Sequence, residues 1–350
     1  MFTGFIGSYT PTAGAGQGIY AFTLDPHSGE VRDIRLGIAA IHPSYLVLSP
    51  SRRCLFAVQE SPHGSVAAFA IRNEGLQPLN HQSSVGDDPC HLALSPDERF
   101  LMVSNYGSAS IAVLPITNTG ALGEAVQVIQ LHGSSLNKTR QESAHAHSCT
   151  FSPDGTRVFV CDLGSDRIIV YRYDPFSGRL TELSHYAAIP GSGPRHLGCS
   201  PDGKYLYAVN ELDSSVAVLS LTEQDGQLRF SLDQCIPTLP DDVSTDNTAA
   251  AIIQSNDARY IYVSNRGHDS IAVYAVQGDA SLRMITTVPS GGKTPRALSL
   301  DPGGAFLFAC NQGSDSMSVF SREPGGALIW RADYPLPSAP TCCVCIAAPA

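Results

Sequence analysis

The segment GPRHLGCSPDGKYLYAVNEL, residues 193–212, carries an arginine, an imidazole and a carboxylate at matched distances from one turn. Its centre, SPDG at 200–203, has the composition of a tight turn between two apolar runs. Arg195 and His196 precede the first run, and Glu211 follows the second. Guanidinium groups bind oxyanions, whereas imidazoles and carboxylates transfer protons. The spacing therefore indicates a site for a small anion.

The same layout recurs along the chain at a period of about 50 residues. Each unit has an apolar run, a turn, a second apolar run ending in a polar residue, and then further strands, as in SIAVLPI and DPFSGRLTEL. This period and strand content predict an all-β fold, a seven-bladed β-propeller with four antiparallel strands per blade. We expect residues 1–350 to form one such domain. The turn anchors are Ser49, Ser95, Ser152, Ser200, Ser255 and Asp301.

The two ends of the chain supply the strands of the remaining blade. FTGFIGSYT, GIYAFTLDPHSGEV and RDIRLGIAA precede the first full repeat, and APTCCVCIA follows the last. Pairing the two termini removes an open sheet edge that would otherwise favour aggregation. We therefore expect both termini to close the first blade, with CCVC in its innermost strand.

Aligning the six units on their anchors separates structural positions from candidate functional ones. Ten residues after each anchor the side chain is an amide or acid, a type that satisfies backbone groups at turns. One residue later, and four or five residues before the anchor, the residue types are mixed and often charged. The residues ten positions after the anchors are Gln59, Asn105, Asp162, Asn210, Asn265 and Asn311. Charged, imidazole and phenol groups of the mixed columns are Tyr45, Glu60, His91, Tyr106, His147, Arg195, His196, Glu211, Arg266 and Arg296.

Propeller geometry brings the mixed columns together. The first strand of a blade runs along the central channel away from one face, and the second strand returns to it. Residues just before the first strand and just after the second therefore meet on that face. We expect Arg195, Arg266 and Arg296 to line one positive pocket there that binds a phosphate or carboxylate. Glu60, His91, Tyr106, His145 and His196 are further candidates for substrate binding.

Two insertions enter at the same predicted face. HGSSLNKTRQESAHAHS precedes the anchor Ser152, and PTLPDDVSTDNTA precedes the anchor Ser255. A minimal propeller needs neither segment, so we expect them to form a lid or rim. His145 and His147 in HAH have the spacing of a metal pair, but the sequence offers no third ligand, and we expect no metal.

Composition excludes several classes of protein. The 350 residues carry a net charge of −10, with a pI of about 5.5, which does not favour nucleic acid or an anionic membrane surface. The amino-terminal segment has neither the basic start nor the apolar core of a secretory signal, and we expect a cytoplasmic protein that is a monomer or weak homodimer. Most of the ten Cys are scattered. Cys342 and Cys345 have CxxC spacing without a second pair, so zinc is not expected.

Several of these segments together resemble the seven-bladed β-propeller lactonase family, which includes a bacterial 6-phosphogluconolactonase and a fungal 3-carboxy-cis,cis-muconate cyclase. The matching segments are FIGSYT with GIYAFTLD, PCHLALSPD with SNYGS, HAHS with CDLGSDRI, GPRHL with NEL, and SNRG. The resemblance covers nearly the whole chain. It implies a site without metal or other cofactor in which His147, Arg195, Glu211 and Arg266 carry binding and chemistry. Two departures are Gln59, where the family has Asn, and the turn at 255–257, which lacks Pro.

The resemblance implies a lactonase but does not decide which lactone. Because the predicted pocket contains three arginines, we expect hydrolysis of a small anionic sugar lactone, 6-phosphogluconolactone in particular. Glu211 or His147 would be the base, and Arg195 or Arg266 would face the developing oxyanion. The alternatives are a lactonising cyclase acting on a carboxymuconate, and a non-catalytic propeller that binds proteins. A protein-binding rim would favour aromatic and apolar residues, whereas the predicted face is rich in Arg, His and Glu.

Overall fold

The polypeptide folds almost entirely into β-strands in the computed structural model, which describes residues 1–10, 16–224 and 227–347. The strands form seven four-stranded sheets, which confirms the seven-bladed β-propeller predicted from the repeat. The chain divides into two compact units, Met1–Leu46 with Ile236–Ala350, and Val47–Cys235. The expectation of a single domain over 1–350 stays a prediction, and the two units are described separately below.

The first unit contains blades 1, 6 and 7. The strands of blade 1 are β1 (Phe2–Ser8), β2 (Gly18–Leu24), β3 (Val31–Ala39) and β28 (Pro340–Ala347). Those of blade 6 are β20 (Thr248–Gln254), β21 (Tyr260–Arg266), β22 (Ser270–Val276) and β23 (Leu282–Pro289). Those of blade 7 are β24 (Pro295–Leu300), β25 (Phe306–Asn311), β26 (Ser316–Arg322) and β27 (Leu328–Pro335), with a short 3-10 helix at Gln312–Ser314.

Blades 2 to 5 occupy the second unit. The strands of blade 2 are β4 (Leu46–Leu48), β5 (Cys54–Gln59), β6 (Ser65–Arg72) and β7 (Gly75–Ser83). Those of blade 3 are β8 (Pro89–Leu94), β9 (Phe100–Asn105), β10 (Ser110–Pro115) and β11 (Gln127–Gln130). Blade 4 contains β12 (Ala146–Phe151), β13 (Arg157–Asp162), β14 (Arg167–Tyr173) and β15 (Leu180–Ala187). Blade 5 contains β16 (Pro194–Cys199), β17 (Tyr205–Asn210), β18 (Ser215–Gln224) and β19 (Gln227–Pro237).

Blade 1 is closed by both ends of the chain, as predicted. Its strand order is β28-β1-β2-β3, and β1 pairs antiparallel with β28 from Phe2 opposite Ala347 to Gly7 opposite Cys342. The CCVC run lies in β28, as predicted, and Cys342 and Cys343 are buried there. Because β28 occupies the edge of β1, that edge is not available to another chain.

Burial explains why the second strand of each blade reads as a continuous apolar run. All six residues of β9 and all six of β25 are buried, because blades pack against both faces of the sheet. The fourth strands β15 and β27 instead alternate between exposed and partly buried positions. The sequence pattern therefore changes from strand to strand within one blade.

Each unit has apolar clusters formed by facing blades. In the second unit Met102 and Ile111 of blade 3 share a cluster with Val160 and Tyr171 of blade 4. In the first unit Phe22 of blade 1 meets Phe308 of blade 7 edge to face, with ring centroids 5.8 Å apart. Burial of one such side chain contributes roughly 1.5–3 kcal/mol, so these clusters hold neighbouring blades in register.

The turn anchors hold the ends of the first two strands together. Ser200 Oγ accepts a hydrogen bond from the Tyr205 amide at 2.9 Å and donates one to Asp202 Oδ1 at 2.6 Å. Ser255, whose turn lacks Pro, accepts the corresponding bond from the Tyr260 amide at 3.0 Å. The missing proline therefore leaves the turn intact.

Side chains ten residues after the anchors have the predicted structural role. Asn105 Nδ2 donates to the Ser84 carbonyl oxygen at 2.9 Å and to Ser110 Oγ at 3.1 Å. Asn265 Nδ2 donates to the Thr238 carbonyl oxygen at 3.0 Å. These buried amides tie the end of the second strand to the neighbouring loop.

Candidate active site

A β-bulge at the start of the innermost strand presents the candidate residues of the second unit. The strand register shifts between Ala146 and Ser148, which leaves His147 as the extra residue. The same shift leaves Arg195 as the extra residue between Pro194 and His196. A bulge redirects the side chain that it carries and is common beside active sites. In these two blades, the residue five positions before the turn anchor is therefore the extra residue of a bulge.

Residues that follow the second strand lie beside these bulges. The Glu211 amide donates to the Gly193 carbonyl oxygen at 2.8 Å, and the Tyr106 amide donates to the Asp88 carbonyl oxygen at 2.9 Å. Each of these bonds joins the end of the second strand to the loop that precedes the first strand of its own blade. The matched offsets of Arg195, His196 and Glu211 in the sequence follow from this connection.

Glu211 forms ion pairs with two arginines. Arg195 Nε donates to Glu211 Oε2 at 2.9 Å, and Arg140 Nη2 donates to Glu211 Oε1 at 2.6 Å. The side chains of Arg195 and Glu211 are each 3% exposed, whereas that of Arg140 is 38% exposed. Both carboxylate oxygens of Glu211 thus accept from guanidinium groups.

His196 contacts this ion pair, and two further imidazoles pack against His196. Arg195 Nη1 is 3.3 Å from His196 Nε2, and because a guanidinium only donates, that nitrogen accepts. The His196 ring meets the rings of His91 and His147 edge to face, with centroids 5.2 and 5.3 Å apart. His91 and His147 are buried, whereas His196 is partly exposed.

His91 is a neutral imidazole in this cluster. Burial, together with the charge of Arg195, lowers its pKa from 6.5 to about 3. Its Nδ1 accepts from the Cys149 amide at 3.4 Å, which leaves the ring proton on Nε2. His91 can therefore donate a hydrogen bond but does not take up a proton at neutral pH.

Tyr106 lies between the two histidines of the HAH stretch. Its ring stacks on His145 at 4.3 Å with an interplanar angle of 7°, and it meets His147 edge to face at 5.6 Å. His145 Nδ1 donates to the Tyr106 carbonyl oxygen at 3.0 Å. Burial raises the pKa of the Tyr106 hydroxyl, so it is a neutral hydrogen-bonding group. The two histidines thus contact one aromatic ring.

Arg140 is a member of the cluster that the sequence analysis did not single out. It belongs to the insertion that precedes Ser152, and its Nη2 also lies 3.5 Å from the Tyr106 hydroxyl. Burial lowers its pKa, but the charge of Glu211 and the bonds to Tyr106 and Glu211 raise it more, so the net shift is upward. The only indication in the sequence was that this insertion was predicted to form a lid or rim at the site. Nothing in the sequence distinguished Arg140 from Lys138 in the same loop.

The remaining candidate arginines belong to the first unit. Arg266 Nη2 donates to the Ala249 carbonyl oxygen at 3.2 Å. Arg296 is the extra residue of the bulge that begins β24, and its guanidinium carbon lies 5.5 Å from the centre of the Tyr9 ring. Their participation in one pocket with Arg195 stays a prediction.

Glu60 follows β5 at a partly exposed position in the second unit. Burial raises the pKa of Asp88, and the charges of Glu60 and Asp87 add to that shift. Glu60 therefore lies in an acidic environment, and its predicted contact with substrate stays a prediction.

The described residues contain neither a cluster of metal ligands nor a membrane-spanning helix. Across 1–10, 16–224 and 227–347, no three His, Cys, Asp or Glu side chains cluster as metal ligands would. In the same part of the chain no helix has the length and apolarity to cross a membrane. Independence from metal stays a prediction.

Comparison with known proteins assigns the family. The sequence model described as lactonase, 7-bladed beta-propeller matches residues 3–345. The chain belongs to the seven-bladed β-propeller lactonase family. This membership confirms the resemblance carried by GPRHL, NEL and the other segments, and it agrees with the seven four-stranded sheets.

Several known proteins are similar to this chain over nearly their whole length. The chain is 33% identical over 326 residues to the 6-phosphogluconolactonase of Bacillus subtilis, covering 92% of this chain and 91% of that protein. It is 34% identical over 330 residues to the 6-phosphogluconolactonase of Formosa agariphila, covering 91% and 92%. The structure of the periplasmic gluconolactonase of Pseudomonas aeruginosa superposes with a TM-score of 0.91 at 33% identity, covering 99% of each chain.

These similarities support a lactone-hydrolysing enzyme. They do so for the whole chain, since each alignment covers more than nine-tenths of both proteins. One of the similar proteins is named as periplasmic, so the cytoplasmic location expected from the sequence stays a prediction.

Proposed function

We propose that the protein is a lactonase that hydrolyses a small anionic sugar lactone, 6-phosphogluconolactone in particular. The observation that carries the proposal is the buried Arg195–Glu211 ion pair beside His196, whose ring packs against those of His91 and His147. Lactone hydrolysis needs a base for water and a positive charge near the carbonyl oxygen, and this cluster offers both. The relatives named as 6-phosphogluconolactonases support the choice of lactone.

The reaction adds water across the ester bond of the ring. The water oxygen forms a bond to the carbonyl carbon, and its proton passes to the base. The tetrahedral intermediate then collapses, the bond from that carbon to the ring oxygen breaks, and the ring oxygen takes the proton back from the base. The product is the open-chain hydroxy acid, which ionises to a carboxylate.

His147 is the base in this proposal. Glu211 is the other candidate, but both of its oxygens accept from guanidinium groups, and a carboxylate so paired has little tendency to take a proton. His196 Nε2 already accepts from Arg195, and His91 stays neutral. An imidazole is a suitable base at neutral pH, and the His147 ring lies beside the ion pair through its edge-to-face contact with His196, with centroids 5.3 Å apart.

Arg195 supplies the positive charge for the developing oxyanion. Its guanidinium is buried and held by Glu211 at 2.9 Å, so it needs little reorganisation as charge develops on the carbonyl oxygen. Water screens the charge poorly at such a site. Glu211 then acts as the positioning residue for Arg195, and His91 can donate a hydrogen bond through Nε2.

A substrate panel tests the proposal. Purified protein, with and without chelator treatment, is offered 6-phosphogluconolactone, glucono-δ-lactone and a carboxymuconate, and each rate is corrected for the spontaneous reaction. We expect saturable hydrolysis of the phosphorylated lactone. Turnover of the carboxymuconate alone would assign the cyclase chemistry instead, and turnover of none would favour a non-catalytic binding propeller. Loss of all activity on chelation would contradict a metal-free reaction.

A further inference from the structure

Arg140 differs from Arg195 in how much of its side chain reaches solvent. Both guanidiniums bind the same carboxylate, that of Glu211. The Arg195 side chain is 3% exposed, whereas the Arg140 side chain is 38% exposed. Arg140 is thus the arginine of this cluster that an incoming ligand can reach without displacing other side chains.

Only one nitrogen of the Arg140 guanidinium is engaged. Nη2 makes both contacts, with Glu211 Oε1 at 2.6 Å and with the Tyr106 hydroxyl at 3.5 Å. Within residues 1–10, 16–224 and 227–347, Nε and Nη1 of Arg140 have no hydrogen-bonding partner. An arginine carries five N–H donors in a fixed planar fork, so three remain for a ligand. Two of these donors are on Nη1, at the edge of the guanidinium away from the Nε donor, and can donate to a phosphate or carboxylate oxygen.

The loop around Arg140 is held in place independently of any ligand. Asn137 Oδ1 accepts from the amides of Thr139 and Arg140, each at 3.2 Å. The next residue, Gln141, is buried, and its Nε2 donates to the Leu163 carbonyl oxygen at 2.9 Å. These bonds fix the backbone on both sides of Arg140. Its guanidinium is therefore preorganised, which lowers the entropy lost when an anion binds.

We propose that Arg140 is a substrate-specificity residue that binds the distal anionic group of the lactone through Nη1. The inference rests on the proposed function and extends it to the choice between lactones. Arg195 is then reserved for the reacting carbonyl oxygen, and Arg140 for a phosphate or carboxylate at the other end of the substrate. Glu211 joins the two arginines and fixes their relative positions.

The similar proteins differ in the lactone for which they are named. Two are named for a phosphorylated lactone and a third is named as a gluconolactonase, at nearly the same identity to this chain. Overall similarity therefore does not select between a phosphorylated and a neutral lactone. Arg140 does favour the phosphorylated lactone, because Arg140 and Arg195 share the single carboxylate of Glu211 and an anionic substrate would balance the second positive charge.

The test compares kcat/KM for 6-phosphogluconolactone with kcat/KM for glucono-δ-lactone. Arg140→Ala is expected to lower the ratio of the two by about 10- to 100-fold, the range for one charged hydrogen-bonding pair. The loss should fall mainly on KM for the phosphorylated lactone. Arg140→Lys keeps the charge but not the fork, so we expect an intermediate ratio.

Lys138 offers a matched control. It is an exposed cation two residues away in the same loop, and Lys138→Ala removes the same charge without touching Glu211. We expect this control to keep the wild-type ratio. An equal fall in both variants would assign the effect to general electrostatics and overturn the proposal, as would an unchanged ratio in Arg140→Ala.

A binding measurement separates this inference from the proposed function. The probe is 6-phosphogluconate, titrated by calorimetry into the wild type, Arg140→Ala and Lys138→Ala. Weaker binding to Arg140→Ala alone supports the inference even where no lactone is hydrolysed, a result that would refute the proposed function only. Equal binding to all three proteins overturns the inference even where the phosphorylated lactone is hydrolysed. Urea unfolding of each variant verifies that it is folded.

Discussion

Arg195 Nε donates to Glu211 Oε2 at 2.9 Å, and each of the two side chains is only 3% exposed to solvent. A buried ion pair is a weak source of net stability, but removing one partner leaves an uncompensated buried charge. Arg140 adds a second guanidinium on the other oxygen of Glu211. Glu211 is therefore the residue on which the geometry of the cluster depends.

Glu211→Gln should destabilise the protein by about 3–5 kcal/mol, the cost of breaking a buried pair. The amide keeps the size of the side chain but leaves the charges of Arg195 and Arg140 uncompensated. The free energy of unfolding in urea measures this change. Combining it with Arg195→Met should recover part of the stability and none of the activity. An additive double variant would contradict coupling between the two side chains.

His147→Ala should lower kcat by about 10²- to 10⁴-fold, the contribution of a general base. The acidic limb of the pH–rate profile should disappear with the imidazole, whereas a purely structural loss would leave the shape of the profile unchanged. His132, an exposed histidine that precedes the same blade, provides the control as His132→Ala. A His147→Ala variant with the wild-type profile would return the role of base to Glu211.

His91 should make stability depend on pH. Its folded-state pKa of about 3 lies below the ordinary value of 6.5, so the unfolded chain takes up a proton at a pH where the folded chain does not. The free energy of unfolding therefore falls as pH is lowered from about 6.5 toward 3. The expected loss between pH 7.5 and pH 5 is about 2 kcal/mol from this group.

His91→Asn removes that titration while keeping an acceptor near the Cys149 amide. Urea unfolding at pH 7.5 and pH 5 should show a smaller difference for this variant than for the wild type. His27→Asn, at an exposed position, should behave as the wild type does. A difference as large in His91→Asn as in the wild type would show that His91 is not the group responsible.

The fold was predictable because each blade repeats one sequence pattern. The anchors from Ser49 to Asp301 mark the turn in six units, and the two termini supply the missing blade. The positions of Arg195, His147 and Glu211 were predictable for the same reason, since a column in the alignment of repeats corresponds to one place in every blade.

The pairing within the site was not predictable from the repeats. Arg140 belongs to an insertion that lies outside the repeated pattern, so no column of the aligned repeats marks it. Its contact with Glu211 joins positions 71 residues apart and depends on how Asn137 and Gln141 shape the loop. The roles of Glu211 and His147 also remained alternatives, because only the contacts of Glu211 reveal that both of its oxygens accept from arginines.

The most direct test is the background-corrected rate of 6-phosphogluconolactone hydrolysis by the wild type and by His147→Ala, at neutral pH and equal enzyme concentration. We expect saturable hydrolysis by the wild type, with kcat lower by at least about 100-fold in the variant. Wild-type protein that does not exceed the spontaneous rate, or a variant as active as the wild type, would contradict it.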